Sequence, residues 1–179
     1  MMIGRELAVL KKEPLPQDLK RRRILQVKNC TVKSDKKYCV KGISFDVFSN
    51  EILGVAGVDG NGQKELAEAI TGLCHMESGS IQVNGVELSG KSVREIRNSG
   101  VAHVPEDRRK RGLILPFTLV ENSILVKHDS PPFSHGILLD QKEAVAFTKK
   151  NIQDYRIKSQ SERDTAASLS GGNQQKVII

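Results

Sequence analysis

Apolar and polar residues alternate where the chain first shows a regular pattern. Residues 24–27 read ILQV and residues 43–47 read ISFDV, and this period of two is typical of half-buried β-strands. Residues 51–58, EILGVAGV, instead place apolar side chains on both faces. Such a run predicts a strand that is covered on both sides, as in a parallel sheet.

The period then lengthens to that of a helix. Residues 64–73, KELAEAITGL, repeat apolar side chains at helical spacing, and Gly72 is a typical helix stop. Asn84-Gly85 lies between two short alternating runs and predicts a β-hairpin. Residues 92–100 predict a short helix, which leads into an apolar strand at residues 101–104. The chain therefore begins with strands and a helix of mixed α/β type.

Helices dominate the second half. Residues 106–113, EDRRKRGL, predict a charged loop. Two helices beyond this loop open with a side-chain acceptor followed three residues later by glutamate, which is the spacing of a capping box. The pairs are Thr118 with Glu121 and Asp140 with Glu143.

Composition narrows the class of protein. The chain has 179 residues with 38% hydrophobic and 27% charged residues, and it lacks the run of about 18 apolar residues that a membrane span needs. Residues 1–41 carry 12 Lys/Arg against 4 Asp/Glu, whereas the remainder is nearly neutral. The basic run Lys20–Arg23 contains no aromatic residue to stack on bases, so we interpret residues 1–23 as a linker, with a nucleic-acid arm as the alternative.

A glycine-rich loop follows the third predicted strand. Residues 54–66, GVAGVDGNGQKEL, approach the phosphate loop G-x-x-x-x-G-K-[ST], whose N–H groups surround phosphate, whose lysine reaches the terminal phosphates and whose hydroxyl binds Mg²⁺. Gln63 and Lys64 stand where the lysine and the hydroxyl residue belong. Lys64 does not replace the missing cation, because adjacent helical positions point about 100° apart. A turn without a ligand is the alternative. The candidate nucleotide-binding residues are Gly57, Asp59, Gly60, Asn61, Gly62, Gln63, Lys64 and Glu65.

A second glycine motif, LSGGNQQK, occupies residues 169–176. Ser170 can cap a helix there, and the free N–H groups of its first turn form an anion site at the positive end of the helix dipole. Each glycine destabilises a helix by up to about 1 kcal/mol, so a function other than folding is indicated, with a plain Ser-Gly-Gly loop as the alternative. The candidate residues are Leu169, Ser170, Gly171, Gly172, Asn173 and Gln174.

In this order the motifs resemble those of ATP-binding subunits of ABC transporters, whose signature is LSGG. GVDGNGQKELAEAITGL, VPEDRRKRGL and LSGGNQQK together look like the second nucleotide-binding domain of the ATPases that drive bacterial sugar and nucleoside importers, over essentially the whole chain. The resemblance implies an α/β, P-loop NTPase-like ABC ATPase core with an antiparallel β subdomain and a helical subdomain, C-terminally incomplete. Its expected parts are a linker (1–23), the core with β subdomain and phosphate loop (24–106), and the connecting loop, helical subdomain and start of the signature helix (107–179).

The family places ATP between the phosphate loop of one domain and the signature of another. The resemblance therefore implies that this chain has a degenerate loop, and that Ser170 to Gly172 contact the terminal phosphate of ATP held, with Mg²⁺, by a first nucleotide-binding domain. It implies no catalytic or metal-binding residue in this chain. The family's catalytic carboxylate and histidine switch should follow the signature helix, so we expect the isolated chain not to hydrolyse ATP.

The same resemblance implies partners for the charged loop. Glu106 takes the place of the usual Q-loop glutamine, and the loop is expected to contact transmembrane permease subunits, with an extracellular solute-binding protein as an indirect partner. A solvated loop without a partner is the alternative. Tyr38 is a candidate adenine platform, with packing in the core or on a strand as the alternative. The expected location is cytoplasmic, at the inner face of the membrane, and nucleic acid is not an expected partner. The coupling candidates are Glu106, Asp107, Arg108 and Arg111.

Two other functions stay open. A P-loop enzyme of another class, such as a kinase, conflicts with Gln63 and Lys64 and gives LSGG no role. A non-transport ABC or P-loop binding module, associated with nucleic acid through the basic N-terminal end, is compatible with the glycine motifs because transport and non-transport ABC proteins share them.

Overall fold

The computed structural model describes residues 21–34 and 37–179. The predicted linker, residues 1–23, therefore lies almost entirely outside the described residues. The chain divides after Ala102 into two units, and each unit has its own core.

An antiparallel sheet forms the first unit, with the strand order β2-β1-β3-β4. The strands are β1 (Arg23–Ser34), β2 (Lys37–Phe48), β3 (Met76–Val83) and β4 (Val86–Glu87). β1 is central, and its Gln26 lies opposite Asp46 of β2 and Gln82 of β3. The predicted hairpin is confirmed, because Asn84 and Gly85 both adopt the positive φ that a tight hairpin turn requires.

Helix α1 (Gln63–Ile70) packs on this sheet and completes the core of the first unit. Leu73 N donates to Glu68 O at 2.7 Å and Gly72 N donates to Ala69 O at 3.2 Å, with Gly72 at a φ of 74°. This is a Schellman ending, so the predicted helix stop is confirmed. The buried side chains of the core are Val27, Cys30, Val32, Val40, Leu66, Ala69 and Ile81.

A short helix, α2 (Val93–Asn98), follows the hairpin as predicted. Ser92 and Glu95 form a reciprocal capping box at its start. Its Ile96 is buried with Val83 and Leu88 in a smaller cluster.

Two predicted strands are absent among the described residues. Residues 51–58 form no ladder with any described strand, and all of them are exposed, with Ile52 at 98%. Residues 101–104 are likewise not a strand. A strand is stabilised by hydrogen bonds to a neighbouring strand, and the described strands of the first unit pair only with one another. The prediction of a strand covered on both sides is therefore wrong for this structure.

The second unit is mainly helical. It contains a single π-helical turn, here called the π-turn (Arg108–Gly112), at the position of the predicted charged loop. Asp107 caps this turn, because its carboxylate accepts from the N–H groups of Arg109 and Lys110 at 3.0 and 3.1 Å. The other elements are α3 (Leu119–Ile124), β5 (Ser134–His135), β6 (Leu138–Leu139), α4 (Gln141–Asp154), a 3-10 turn (Ala166–Ser168) and α5 (Gly171–Ile178).

Both predicted caps are confirmed in this unit. Thr118 and Glu121 form a complete capping box on α3, and Asp140 caps α4 by accepting from Lys142 N and Glu143 N. The two helices share a core of Val120, Ile124, Phe133 and Ala144. A second cluster consists of Leu119, Ile157 and Leu169, and this cluster anchors the residue immediately before Ser170. No helix in the described part of the chain combines the length and hydropathy needed to cross a bilayer.

Candidate functional site

The phosphate loop, residues 57–63, lies in the first unit and leads into α1, whose first residue is Gln63. Asn61 N donates to Val58 O at 3.2 Å, which closes a turn. Gly62 immediately precedes α1 with a φ of 99°, and a side chain there would collide with the carbonyl oxygen of Cys39 in β2. Only glycine therefore fits at this end of the loop.

The side chain of Gln63 folds back against this loop. Its Nε2 donates to Val58 O at 3.3 Å, and a Cβ added to Gly57 would overlap the Gln63 amide. A neutral amide thus lies across the first glycine of the motif. Lys64 is exposed one position further along the helix.

Mg²⁺ does not fit the residues of this loop. The position that supplies a hydroxyl in a complete phosphate loop is occupied by the cationic Lys64. Among residues 21–34 and 37–179, no group of three or more His, Cys, Asp or Glu side chains could hold a metal ion. The loop thus has the glycine spacing of a phosphate loop without its lysine or its hydroxyl residue.

Tyr38 lies on β2, next to the Cys39 carbonyl that contacts the loop. Its ring is 45% exposed, and Lys33 Nζ of the neighbouring strand lies 5.3 Å from the ring centroid. Tyr38 is therefore not part of the core, and the contact described for its ring is with Lys33 of β1. The role of adenine platform stays a prediction.

The LSGG motif forms the start of α5 in the second unit. Ser170 occupies the N-cap position with extended backbone, as the sequence predicts, but its hydroxyl does not bond to the helix backbone. Instead it accepts from Asn173 Nδ2 at 3.0 Å, while Asn173 Oδ1 accepts from Lys158 N at 3.1 Å. Asn173 therefore fixes Ser170 and also ties the helix to the preceding loop.

The open end of α5 presents backbone donors. The first intrahelical bond described at this end runs from Gln174 N to Ser170 O at 2.9 Å, so helix geometry leaves the N–H groups of Gly171, Gly172 and Asn173 without intrahelical partners. Gly172 is exposed, and a Cβ built on it meets nothing within 4 Å. An anion can approach this end of the helix closely.

Arg108 connects the charged loop to the signature helix. Its Nε donates to Gln174 Oε1 at 3.3 Å, and the buried Gln174 in turn donates from Nε2 to Ala166 O at 3.0 Å. Arg108 and Gln174 belong to different motifs of the sequence, and neither motif predicts this link. The two residues are 66 positions apart, and no local pattern signals a contact at that distance.

The remaining coupling candidates lie at the surface of the same unit. Glu106 and Arg111 are exposed, and Arg111 N donates to Asp107 O at 3.0 Å. Asp107 also caps the π-turn. The structure thus brings Arg108 to the signature motif and leaves Glu106 and Arg111 facing outward.

The sequence model of the ABC transporter family matches residues 40–179 of this chain. The chain belongs to the ABC transporter family. This confirms the resemblance that the glycine motifs indicate.

Curated relatives match over the whole chain. The nucleoside import ATP-binding protein NupA of Lactococcus lactis is 39% identical over 182 residues. The guanosine import ATP-binding protein NupO of Bacillus subtilis is 38% identical over 180 residues. Each alignment covers 100% of this chain and 35% of the relative, so the chain spans about a third of the length of these proteins.

Solved structures agree on the fold. A dimeric bacterial ABC transporter cassette superposes with a TM-score of 0.68 at 19% identity, covering 87% of this chain and 67% of that one. The predicted fold class, an ABC ATPase core of α/β type with an antiparallel sheet and a helical part, is confirmed.

Proposed function

We propose that this chain is an ATP-binding, energy-coupling domain of an importer for nucleosides or simple sugars, with a degenerate phosphate loop and a signature that acts in trans. The observation that carries the proposal is the contrast between the two glycine motifs. The amide of Gln63 occupies the first motif, whereas Gly172 leaves the second motif open. The import function of the relatives supports the transport role.

Gln63 and Lys64 weaken nucleotide binding at the chain's own loop. A complete loop gains a charge-assisted contact from its lysine, and such a contact contributes about 1.5 to 3 kcal/mol. Its absence corresponds to a loss of roughly one to two orders of magnitude in affinity. Since the hydroxyl ligand is also absent, we expect this loop not to support Mg²⁺-dependent hydrolysis.

The start of α5 is suited to the terminal phosphate of ATP that another domain holds. Gly171, Gly172 and Asn173 present N–H groups at the positive end of the helix dipole. Ser170 is held beside them by Asn173. In this arrangement the partner domain supplies the complete phosphate loop and Mg²⁺, while this chain supplies donors that complete the phosphate shell.

The π-turn supplies the surface for the membrane partner in this proposal. It presents three consecutive basic residues, Arg109, Lys110 and Arg111, all exposed. Permease subunits at the inner face of the membrane are the proposed partners, and a solute-binding protein acts through them.

Restoring the loop tests the proposal. The loop-restored variant, Gln63→Lys with Lys64→Ser, recreates G-x-x-x-x-G-K-S within residues 57–64. We expect it to bind MgATP about tenfold to a hundredfold more tightly than the wild-type chain in calorimetric titrations, because it regains the cation and the metal ligand. Lys64→Ser alone is the matched control and should bind weakly. Wild-type affinity equal to that of the loop-restored variant would refute degeneracy of the loop.

A further inference from the structure

The backbone conformation of Gly171 does not explain why this position is a glycine. It is the first residue of α5 and does not have the positive φ that favours glycine. The space above it is occupied, because a Cβ at this position would lie 2.5 Å from Nη2 of Arg108 and 3.3 Å from its Cζ. The guanidinium of Arg108 thus lies directly over Gly171.

The same guanidinium is held from a second side. Arg108 Nε donates to Gln174 Oε1, and Gln174 is only 5% exposed. The Gln174 amide also donates to the carbonyl of Ala166, in the 3-10 turn just before the signature. One buried glutamine therefore connects Arg108, the 3-10 turn and the helix.

The π-turn also contacts the far end of α5. A Cβ added to Gly112 would lie 2.6 Å from Cδ1 of Ile178. Arg108 begins the π-turn and Gly112 ends it, so the turn is attached near both ends of the helix.

We propose that Arg108 is a positioning residue that fixes the first turn of α5 against the π-turn, and that Gly171 is glycine in order to admit its guanidinium. The functional part rests on the proposed function, in which this first turn contacts the phosphate of a partner's ATP. Under that function, Arg108 couples the position of the surface that faces the membrane partner to the position of the glycines that contact phosphate.

Arginine is suited to this role and lysine is not. The guanidinium is planar and carries an Nε–H in a fixed geometry, so it can cover a glycine and bond to an amide oxygen at the same time. A lysine ammonium keeps the charge but loses the plane. The role therefore requires more than a positive charge at residue 108.

A double-mutant cycle on the full chain tests the link between Arg108 and α5. The quantity measured is the hydrogen-exchange rate of the backbone N–H of Gln174. We expect Arg108→Ala to raise this exchange rate about tenfold, the effect of losing one charge-assisted hydrogen bond. Gly171→Ala should also raise it, because the new methyl displaces the guanidinium. In the Arg108→Ala background the same Gly171→Ala change should lower it, because alanine favours a helix over glycine.

The effect of Gly171→Ala on the exchange rate thus changes sign when Arg108 is removed. A contact that stabilises α5 without occupying the space over Gly171 does not produce this change. Equal effects of Gly171→Ala in both backgrounds would overturn the proposal. Arg163→Ala is the matched control, since it removes the same charge from an exposed position of the same unit, and it should leave exchange at Gln174 unchanged.

A second measurement follows the MgATP-dependent association of each variant chain with the loop-restored variant. Arg108→Ala and Arg108→Lys should each weaken it about tenfold, whereas Arg163→Ala should not. Rescue by Arg108→Lys would overturn the positioning role, because charge alone would then suffice. Absence of association for the wild-type chain itself would instead refute the proposed function, and the exchange cycle would still decide whether Arg108 positions α5.

Discussion

Gly171 and Gly172 are adjacent, yet they differ in what surrounds them. Gly171 abuts the guanidinium of Arg108, whereas a side chain on Gly172 would meet nothing within 4 Å. Packing within the described residues therefore does not require glycine at position 172. In the proposed function, the requirement comes from the phosphate, which approaches the backbone closely at this point.

Gly172→Asp is predicted to separate stability from recognition. The unfolding free energy in urea should rise by about 1 kcal/mol, because aspartate replaces a destabilising glycine and lies near the positive end of the dipole. MgATP-dependent association with the loop-restored variant should be lost, because the carboxylate repels the phosphate. Gly172→Asn is the control of equal shape without charge. Association that survives Gly172→Asp unchanged would argue against a phosphate at this position.

The helix caps are determined by residues that belong to the helices themselves. The capping boxes at Thr118 and Ser92 are complete, since cap chemistry depends on residues within one turn. Hydrogen bonds from the Thr118 hydroxyl and N–H hold the pKa of the Glu121 carboxyl below its ordinary value of 4.5. The charged form of Glu121 is therefore the one that stabilises the folded helix.

This pKa shift predicts a pH dependence of stability. A carboxyl whose folded pKa is depressed stabilises the protein above its ordinary pKa, and this contribution is lost as pH falls through the folded pKa. Between pH 7 and pH 3, the urea midpoint of the wild-type chain should fall further than that of Glu121→Gln, which keeps an acceptor but does not titrate. Equal falls in both proteins would mean that Glu121 does not contribute.

Elements that depend on distant partners were predicted less well. The apolar pattern of residues 51–58 indicates where that segment can be buried, but no described strand pairs with it. The bond from Arg108 to Gln174 crosses 66 residues and leaves no trace in local spacing. By contrast, the hairpin at Asn84-Gly85 was predicted correctly because both positive φ values belong to the turn itself. The glycine motifs are recognisable in the sequence. The side chains that surround each motif in the fold are not.

At the scale of the molecule, the two glycine motifs belong to different units. The phosphate loop lies in the unit that ends at Ala102, and the signature lies in the unit that begins at His103. The chain spans 35% of the length of its nucleoside-importing relatives. Under the proposed function its two motifs serve two different nucleotide sites, a weak one of its own and a strong one in a partner.

A mixing experiment tests this division of labour most directly. In the proposed function the wild-type chain has an open signature and a degenerate loop, and a triple variant, Gln63→Lys, Lys64→Ser and Gly172→Asp, has the opposite combination. A productive site can then form only between the two chains. Sedimentation velocity with MgATP should show a one-to-one complex that is absent without nucleotide and absent when Gly172→Asp replaces the wild-type chain. Two chains that sediment separately with MgATP, although the triple variant binds it, would contradict a signature acting in trans.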